Sequence, residues 1–380
     1  MPPIVIDVRR AEDLRDVVHR AVQALVEGGL VVFPTETVYG VAASALEPTA
    51  VTRLVELKQR TPDNPLALAV RSAEDARDYV PNMTSLAQRL ARRCWPGPVT
   101  MVVDDAHPDG LRQQLPEVTR AAVMPQNTIG LRVPAHQTIL DVLQLITGPL
   151  VLSSANLSGQ SETVTGEAAT EALGDAVDLV LDDGPTRFGQ PSSVVQVQGN
   201  TFTMLREGVV PEKTLQRLAS LMVLFICTGN TCRSPMAELL ARRKIAEKLG
   251  CTIDELDERG VVVMSAGIAA MAGGRPSAEA VNVMTRAGLD LSAHVSQPLT
   301  RQLAQHADVI LPMTRSHRTA IVAEWPDVAE RTRLVCTDGG DVSDPIGGTV
   351  EVYQRCADQL SAEIAQQVER LDLQGVDRVN

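Results

Sequence analysis

The stretch from residue 221 to residue 250 constrains the fold of this 380-residue chain more than any other part of it. Residues 221–226 form an unbroken apolar run, which is typical of a strand buried on both faces. A polar loop follows, and apolar residues then recur at three- and four-residue steps up to a capping Gly250. Pro235 fits the first turn of that helix. The pattern predicts a strand, a loop and a helix in succession, which is the building unit of an α/β sheet.

The loop carries the residue types of a phosphate site with a nucleophile. It consists of Cys227, Thr228, Gly229, Asn230, Thr231, Cys232, Arg233 and Ser234. Backbone N–H groups at a helix N-terminus lack carbonyl partners, so they bind anions and favour the thiolate form of a nearby cysteine. Arg233 can hold two phosphoryl oxygens, and Ser234 can donate to the thiolate. The alternative is a buried structural cysteine beside a surface arginine, but strand, glycine, serine and helix together favour a nucleophilic Cys227.

The spacing of a cysteine, five residues, an arginine and a serine resembles the phosphate loop of the low-molecular-weight protein tyrosine phosphatases. The resemblance covers residues 221–371 and implies that Cys227 attacks phosphorus while Arg233 and loop N–H groups hold the equatorial oxygens. It also makes Asp344, followed by Pro345, the general acid, although that segment by itself is an acidic, glycine-rich turn. Further matching positions are Ser265-Ala266-Gly267, His294, Ser296, Thr314 and His317. The family needs no cofactor.

The phosphatase substrate is left open between phosphoarginine and phosphotyrosine on a protein. Thr231 resembles the branch of the family that acts on phosphoarginine, whereas Ile346 stands where an aromatic residue is common and so removes a stacking surface for either substrate. Cys232 is a candidate for a reversible disulfide that shields Cys227, with an inert neighbour as the alternative. An arsenate reductase would share the loop, but its chemistry needs additional cysteines on a mobile segment. The remaining candidates are scattered: Cys251, Cys336 and Cys356.

The first half of the chain alternates apolar strands with helical patterns, which predicts a second α/β domain. The expected helices are 11–28, 49–58, 84–94 and 138–146, and the expected strands are 29–33, 66–70, 128–134, 150–153 and 178–181. The strand ending at Phe33 leads into the polar turn 34–40, beyond a strand's carboxyl end, where α/β sheets hold ligands. An ordinary turn with capping threonines is the alternative. No Walker A motif and no GxGxxG occurs.

Several polar residues of this half are candidates for anion binding. Lys58 and Arg60 can meet one anion only if their helix stops between them, which Pro62 favours; otherwise they complement the helix dipole. Arg132, among apolar neighbours, requires a charged partner. Small hydrogen-bonding residues follow the strand 150–153 at positions 154–159.

Seven segments in sequence over residues 10–210 resemble the threonylcarbamoyl-AMP synthase (YrdC-like) family. They are residues 34–40, Lys58 with Arg60, residues 95–100, Arg132-Val133-Pro134, residues 154–159, residues 192–195 and Leu205-Arg206-Glu207-Gly208. The resemblance implies that L-threonine, bicarbonate and ATP give threonylcarbamoyl-AMP and pyrophosphate, with Mg²⁺ assisting. The product would reach tRNA, as N6-threonylcarbamoyladenosine, only through separate transferase proteins.

The same resemblance implies the residues of the synthase site. The nucleotide phosphates and carbamate would be bound by Lys58, Arg60, Arg132, Ser154, Asn156, Ser192 and Arg206. Thr35 and Tyr39 would line the threonine pocket. An RNA-binding module without synthase activity is the alternative, but it needs a basic surface, and 35 Lys and Arg face 47 Asp and Glu in the chain.

The length suits two domains, and we expect a synthase-like domain at 1–210, a linker at 211–220 and a phosphatase-like domain at 221–380. The fold class is α/β, with a twisted mixed sheet in the first domain and a small doubly wound parallel sheet of four strands in the second, of which the fourth is expected at residues 333–336. No metal site is expected, because the six cysteines show no zinc spacing. No apolar run approaches about 18 residues, so we expect a cytoplasmic protein without a membrane partner. The oligomeric state is left open.

Overall fold

The computed structural model of the protein describes residues 2–59, 65–104, 107, 109–124 and 127–373. By its internal contacts the chain divides into two compact units, residues 1–218 and 219–380. The segment 211–220, expected as a linker, is largely helical, since helix α8 runs over Glu212–Ala219 and buries Leu215 completely.

The first unit is built on a ten-stranded sheet with both parallel and antiparallel neighbours, as predicted for its class. The strands are β1 (Ile4–Asp7), β2 (Val31–Phe33), β3 (Gly40–Ser44), β4 (Ala67–Ala69), β5 (Val99–Asp104), β6 (Thr128–Arg132), β7 (Leu150–Ser154), β8 (Leu179–Asp182), β9 (Ser193–Gln198) and β10 (Thr201–Arg206). Their order across the sheet is β1-β8-β2-β3-β7-β4-β6-β5-β9-β10.

Helices of the first unit pack apolar faces on this sheet. They are α1 (Leu14–Val26), α2 (Pro48–Lys58), α3 (Ala73–Tyr79), α4 (Ser85–Cys94), α5 (Glu117–Val123), α6 (Gln137–Leu145), α7 (Gly166–Leu173) and α8; short 3₁₀ segments lie at Val8–Arg10, Leu111–Gln114 and Gly174–Ala176. Helix α1 begins where the Asp13 side chain accepts from the Arg15 N–H. It buries Val17, Val18, Ala21 and Leu25, the helical spacing expected from the sequence.

Sheet register brings the polar segments of the first unit to one edge. Phe33 pairs with Gly40 across β2 and β3, and Gly40 pairs with Ser154 across β3 and β7. The turn 34–39 therefore lies beside the segment that leaves β7. Arg132 ends β6, which lies two strands from β7. Residues far apart in sequence meet at this edge because the strands between them pair directly.

The second unit has a smaller, wholly parallel sheet. Strand β11 (Leu221–Cys227) lies between β12 (Val261–Gly267) and β13 (Val309–Pro312), and all seven residues of β11 are buried. The helices are α9 (Arg233–Leu249), α10 (Ala278–Arg286), α11 (Arg301–His306), α12 (Arg315–Glu324) and α13 (Val350–Glu369), with a 3₁₀ segment at Pro326–Arg331. Gly250 ends α9 with a φ of 65°, as predicted for a left-handed cap.

The predicted fourth strand of the second unit, residues 333–336, is wrong. The segment runs beside β13 and donates from the N–H groups of Arg333 and Val335 to the oxygens of Ile310 and Pro312. It makes one isolated bridge, at Thr332. Pro312 has no N–H to donate back, so the ladder stops after that contact.

Candidate active sites

Cys227 lies at the end of β11 with its sulfur surrounded by donors of the following loop. The side chain is buried, and Sγ lies 2.9 Å from Ser234 Oγ and 3.2 Å from the Asn230 N–H, which points at it. Helix α9 begins at Arg233, so the loop also receives the positive end of the helix dipole. The arrangement stabilises negative charge on the sulfur and on any anion that it faces.

Asn230 fixes the shape of the phosphate loop. Its φ is 54°, a left-handed conformation that asparagine adopts more readily than most residues. The amide Nδ2 donates to Ser234 Oγ at 3.0 Å and to Ser265 Oγ at 2.8 Å, and Oδ1 accepts from the Gln297 N–H at 2.9 Å. Asn230 thus joins the phosphate loop to Ser265 of β12 and to the segment that contains Gln297. The sequence placed Asn230 in the loop but gave no signal for these partners.

Gly267 lets β12 pack closely against the loop. A Cβ at this position would lie 2.5 Å from the Thr228 oxygen and 3.0 Å from the Asn230 nitrogen. Backbone N–H groups of Ile268 and Ala269 donate to the oxygens of Cys227 and Thr228, each at 3.0 Å. The glycine of the matching segment is therefore required by a close approach of backbone.

Arg233 brings the predicted general acid to the loop. Its buried guanidinium donates through Nη2 to Asp344 Oδ2 at 2.5 Å and through Nη1 to the Val342 oxygen at 3.1 Å. The Asp344 side chain is 44% exposed, so it faces solvent on one side and the loop arginine on the other. The phosphate loop thus brings together the three predicted residues Cys227, Arg233 and Asp344. Asp344 lies more than 100 residues from the other two in sequence.

Two histidines support the loop from neighbouring segments. His317 Nε2 lies 2.9 Å from Thr228 Oγ1, and its Nδ1 lies 2.9 Å from Thr314 Oγ1. Burial lowers the pKa of His317, and the nearby Arg233 charge lowers it further. His294 Nε2 lies 2.9 Å from the Asn230 oxygen. The neutral His317 ring therefore positions the loop without adding a second positive charge.

Cys232 contacts side chains outside the phosphate loop, one of them on α13. Its sulfur lies 3.3 Å from the Tyr353 hydroxyl and 3.4 Å from Ser277 Oγ. Burial and the contact with Cys232 raise the pKa of Tyr353 to about 12. The sequence did not indicate a role for Tyr353, because a tyrosine on the apolar face of a helix is typical of a hydrophobic core residue. The disulfide between Cys227 and Cys232 remains a prediction, since both cysteines are unpaired.

Two of the three cysteines that an arsenate reductase could use have pKa values unsuited to thiol–disulfide exchange. Burial raises the pKa of Cys336 to about 11 and that of Cys356 to about 12. Both are therefore thiols at neutral pH, while exchange requires a thiolate.

The first unit contains a polar cavity of about 700 Å³ at the sheet edge described above. Of the predicted site residues, it is lined by Thr35, Tyr39, Arg132, Ser154, Ser192 and Arg206. Lys58 and Asn156 lie behind this lining, and Arg60 is outside the residues that the structure describes. These six lining residues come from five different parts of the chain.

Lys58 organises the segment after β7. The ammonium group is buried and donates to the Ser154 oxygen at 2.9 Å, to Asn156 Oδ1 at 3.0 Å and to the Asn156 main-chain oxygen. Ser154 Oγ donates to Asn156 Oδ1 at 2.6 Å. The structure thus brings together the predicted residues Lys58, Ser154 and Asn156. The Lys58 charge lies within hydrogen-bond distance of the other two.

Arg132 has the charged partner that its apolar surroundings required. Its Nη2 donates to Glu36 Oε1 at 2.8 Å and to Thr37 Oγ1 at 2.9 Å, and both members of the ion pair are buried. Glu36 Oε2 accepts from the Ala135 N–H at 2.8 Å. The pair fastens the turn after β2 to the end of β6.

Arg206 and Ser192 form the opposite wall of the cavity. Arg206 Nη2 donates to the Ser192 oxygen at 2.8 Å and to Ser192 Oγ at 3.2 Å. Burial lowers the pKa of Arg206, an effect that the nearby Glu162 carboxylate opposes. Glu162 also lines the cavity, and its Oε2 is buried without a hydrogen-bond partner among the described residues. The sequence did not single out Glu162, because one acidic residue in a polar loop gives no signal.

The hydroxyls of the two predicted threonine-pocket residues form hydrogen bonds within the protein. Thr35 Oγ1 donates to the Val38 oxygen at 2.6 Å. The Tyr39 hydroxyl donates to the Gly184 oxygen at 2.7 Å and accepts from the Asp183 N–H at 3.0 Å. Burial raises the pKa of Tyr39. Both residues line the cavity, and their hydroxyls hold the turns that shape it.

Each half of the chain matches a known protein family. The Sua5/YciO/YrdC family model, described as telomere recombination, matches residues 23–208, and the low molecular weight phosphotyrosine protein phosphatase model matches residues 222–376. A relative from Mycobacterium tuberculosis is 36% identical over 202 residues, which are 53% of this chain and 87% of the relative. The protein-arginine-phosphatase of Bacillus subtilis is 35% identical over 153 residues, 39% of this chain and 95% of that protein. The chain belongs to both families.

Other relatives of the Sua5/YrdC part are longer than the region matched. The threonylcarbamoyl-AMP synthase of Pyrococcus abyssi is 33% identical over 216 residues, and the match spans 57% of this chain and 60% of the relative. The solved structure of a variant P. abyssi Sua5 has a TM-score of 0.51 at 23% identity, covering 87% of this chain and 98% of that one, which supports the fold. The protein thus joins domains of two enzyme families. In the parts that the structure describes, no helix is both long and apolar enough to span a bilayer.

Proposed function

We propose that the first unit makes threonylcarbamoyl-AMP and pyrophosphate from L-threonine, bicarbonate and ATP. The proposal rests on the polar cavity at the sheet edge, where Arg206, Ser192 and Ser154 meet the threonine-rich turn after β2. The similarity to the P. abyssi threonylcarbamoyl-AMP synthase supports this choice of reaction. The product would then be handed to separate transferase proteins that modify tRNA.

In this reaction the carbamate oxygen of N-carboxythreonine attacks the α-phosphorus of ATP, and the bond to the β-phosphate breaks as pyrophosphate leaves. Arg206 and Ser192 bind the nucleotide phosphates, while Lys58 places positive charge beside Ser154 and Asn156. The protein contributes positioning and charge neutralisation. Of the described residues that line the cavity, Glu162 would offer a carboxylate ligand to a Mg²⁺ ion bound with the nucleotide, and that ion would help to neutralise the phosphate charge.

Pyrophosphate release should require ATP, L-threonine and bicarbonate together. Arg206→Met is expected to lower the rate about tenfold or more, because the phosphates lose a charge-assisted donor in a buried site. Arg20→Met, which removes an exposed arginine paired with Asp16, serves as the matched control. A coupled pyrophosphate assay with each substrate omitted in turn makes the measurement. Release that continues at full rate without threonine would refute the assignment.

We propose that the second unit is a cysteine-dependent protein phosphatase. The sulfur of Cys227 attacks phosphorus and the bond to the leaving group breaks, giving phosphocysteine; Asp344 delivers a proton to the departing atom and then takes one from the attacking water. Arg233 exchanges its contact with Asp344 for two phosphoryl oxygens. The convergence of these three residues at the N-terminus of α9 carries the proposal.

We further propose phosphoarginine as the preferred substrate. The similarity to the B. subtilis protein-arginine-phosphatase supports it, as does the hydroxyl of Thr231 in the loop. Ile346, two residues after Asp344, is 71% exposed and gives neither substrate an aromatic stacking surface, so it does not favour one substrate over the other.

Thr231→Ile should shift the substrate preference. We expect kcat/KM for phosphoarginine peptides to fall about tenfold relative to that for phosphotyrosine peptides, because the isoleucine removes the hydroxyl that faces a guanidinium. The comparison uses one peptide sequence with either phosphorylated residue. Thr285→Ile, at an exposed threonine of α10, is the control. An unchanged ratio of the two kcat/KM values would overturn the role of Thr231.

A further inference from the structure

A second concave surface of the second unit is lined by arginines. The cleft has a volume of about 560 Å³ and lies where α12, the segment 332–339 and the end of α13 meet. Its arginines are Arg315, Arg318, Arg333 and Arg370. No acidic residue is among the described residues that line it. In a chain with a formal net charge of −12, four guanidinium groups in one cleft are an unusual concentration of positive charge.

Most of these arginines have no carboxylate partner. Arg315 pairs with Asp341 at 3.3 Å, but Arg318, Arg333 and Arg370 form no ion pair within the described part of the chain. Arg318 Nε donates to the Thr332 oxygen, and Arg333 Nε donates to Gln367.

Arg333 combines an unsatisfied hydrogen-bond donor with a like charge nearby. Its Nη2 is buried with no hydrogen-bond partner among the described residues. Burial lowers the pKa of Arg333, and the charge of Arg370 lowers it further. Grouped like charges and a buried unsatisfied donor are both unfavourable unless an anion compensates them.

We infer that this cleft is a second phosphate-binding site, distinct from the loop at Cys227. Arginine forks bind phosphoryl oxygens bidentately, so the site rests on its guanidinium groups. The hydroxyls of Thr319 and Thr337 on the same surface already donate within the protein, to the Arg315 oxygen and to Gln366 and Glu363. The ligand is a phosphate-bearing anion, either free or carried on the protein substrate. The second source rests on the proposed phosphatase function, whereas the first does not.

The cleft borders the catalytic loop. Arg315 and Arg318 flank His317, whose ring contacts Thr228 of the loop. Arg315 also donates from its main-chain N–H and Nε to Asp341, which lies three residues before Asp344. A phosphorylated segment bound at the cleft would therefore lie near the phosphoryl group that is cleaved.

Site-resolved chemical labelling tests the proposal on the full chain. Phenylglyoxal modifies exposed arginines, and mass spectrometry reads the labelling rate of each one. Millimolar inorganic pyrophosphate should slow labelling of Arg318 and Arg370 at least fivefold. Two exposed arginines near Glu351, Arg286 and Arg355, are matched controls whose labelling should not change. Equal labelling of the cleft arginines with and without pyrophosphate would overturn the site, whatever the phosphatase activity.

A kinetic arm separates the two ligand sources. The double variant Arg318→Gln/Arg370→Gln is compared with Arg286→Gln/Arg355→Gln on singly and doubly phosphorylated peptides. A KM that rises at least fivefold for the doubly phosphorylated peptide alone, with kcat unchanged, assigns the cleft to the protein substrate. Protection by pyrophosphate without this change assigns it to a free anion. Loss of all phosphatase turnover in the wild type would refute the proposed activity and leave the labelling result standing.

Discussion

Cys227→Ser is expected to lower phosphatase turnover by about four orders of magnitude. The sulfur accepts from the Asn230 N–H and lies beside Ser234 Oγ, so the loop stabilises a thiolate nucleophile. A serine hydroxyl in the same place stays protonated at neutral pH and has no adjacent general base to activate it. Initial rates of p-nitrophenyl phosphate hydrolysis measure the loss.

Two controls make the result specific. Cys336→Ser removes a buried cysteine outside the loop and should keep near wild-type turnover. Pyrophosphate release by the first unit of Cys227→Ser should also be unchanged, which shows that the first unit of the variant is folded and active. Hydrolysis by Cys227→Ser at more than a tenth of the wild-type rate would exclude Cys227 as the nucleophile.

The sequence predicted those parts of the second unit that depend on local chemistry. The strand, phosphate loop and helix over residues 221–250 follow from apolar periodicity, an early proline and a capping glycine, and they occur as expected. The partners of the loop could not be predicted in the same way. Gln297 and Tyr353 meet it from 67 and 121 residues away in sequence, and only the packing of β12 and α13 brings them there.

In the first unit the sequence indicated the polar segments but not how their charges combine. Arg132 required a charged partner, and the pairing of β2, β3 and β7 decides that this partner is Glu36. Lys58 and Arg60 were expected to share one anion. The structure shows Lys58 donating to three oxygens of the segment after β7, a role that depends on a contact 96 to 98 residues away. Strand β3 was not predicted, because its short, small side chains lack a clear period.

The net negative charge bears on the RNA-binding alternative for the first unit. A sequence-independent grip on RNA needs several arginines or lysines facing one phosphate backbone. The arginines of the cavity already have partners within the protein: the buried Arg132 binds Glu36, and the solvent-exposed Arg206 binds Ser192. Arginines held in this way suit a small ligand in the cavity better than an extended polyanion.

Arg132→Met should destabilise the first unit by about 3–5 kcal/mol. The substitution keeps much of the side-chain volume but leaves the Glu36 carboxylate buried, with the Ala135 N–H as its remaining hydrogen-bond donor among the described residues. Urea unfolding of the full chain can be followed in this unit alone, because Trp95 lies in it and the second tryptophan, Trp325, can be replaced by phenylalanine. Arg71→Met, which breaks an exposed pair with Asp75, should cost less than about 1 kcal/mol and is the control.

A double variant decides whether the loss comes from the unpaired charge. If Glu36 is the cause, Glu36→Gln combined with Arg132→Met should recover most of the stability lost in Arg132→Met, because a neutral amide is less costly to bury than an unpaired carboxylate. If the double variant is as unstable as the sum of the two single variants, the loss reflects packing around Arg132 and not the ion pair. The recovery would also show that the Glu36–Arg132 contact holds the threonine-rich turn against β6, since that turn carries the cavity residues Thr35 and Tyr39. In that case, synthase activity should fall together with stability in the variants whose turn 34–39 is displaced. It should not follow stability in the other variants.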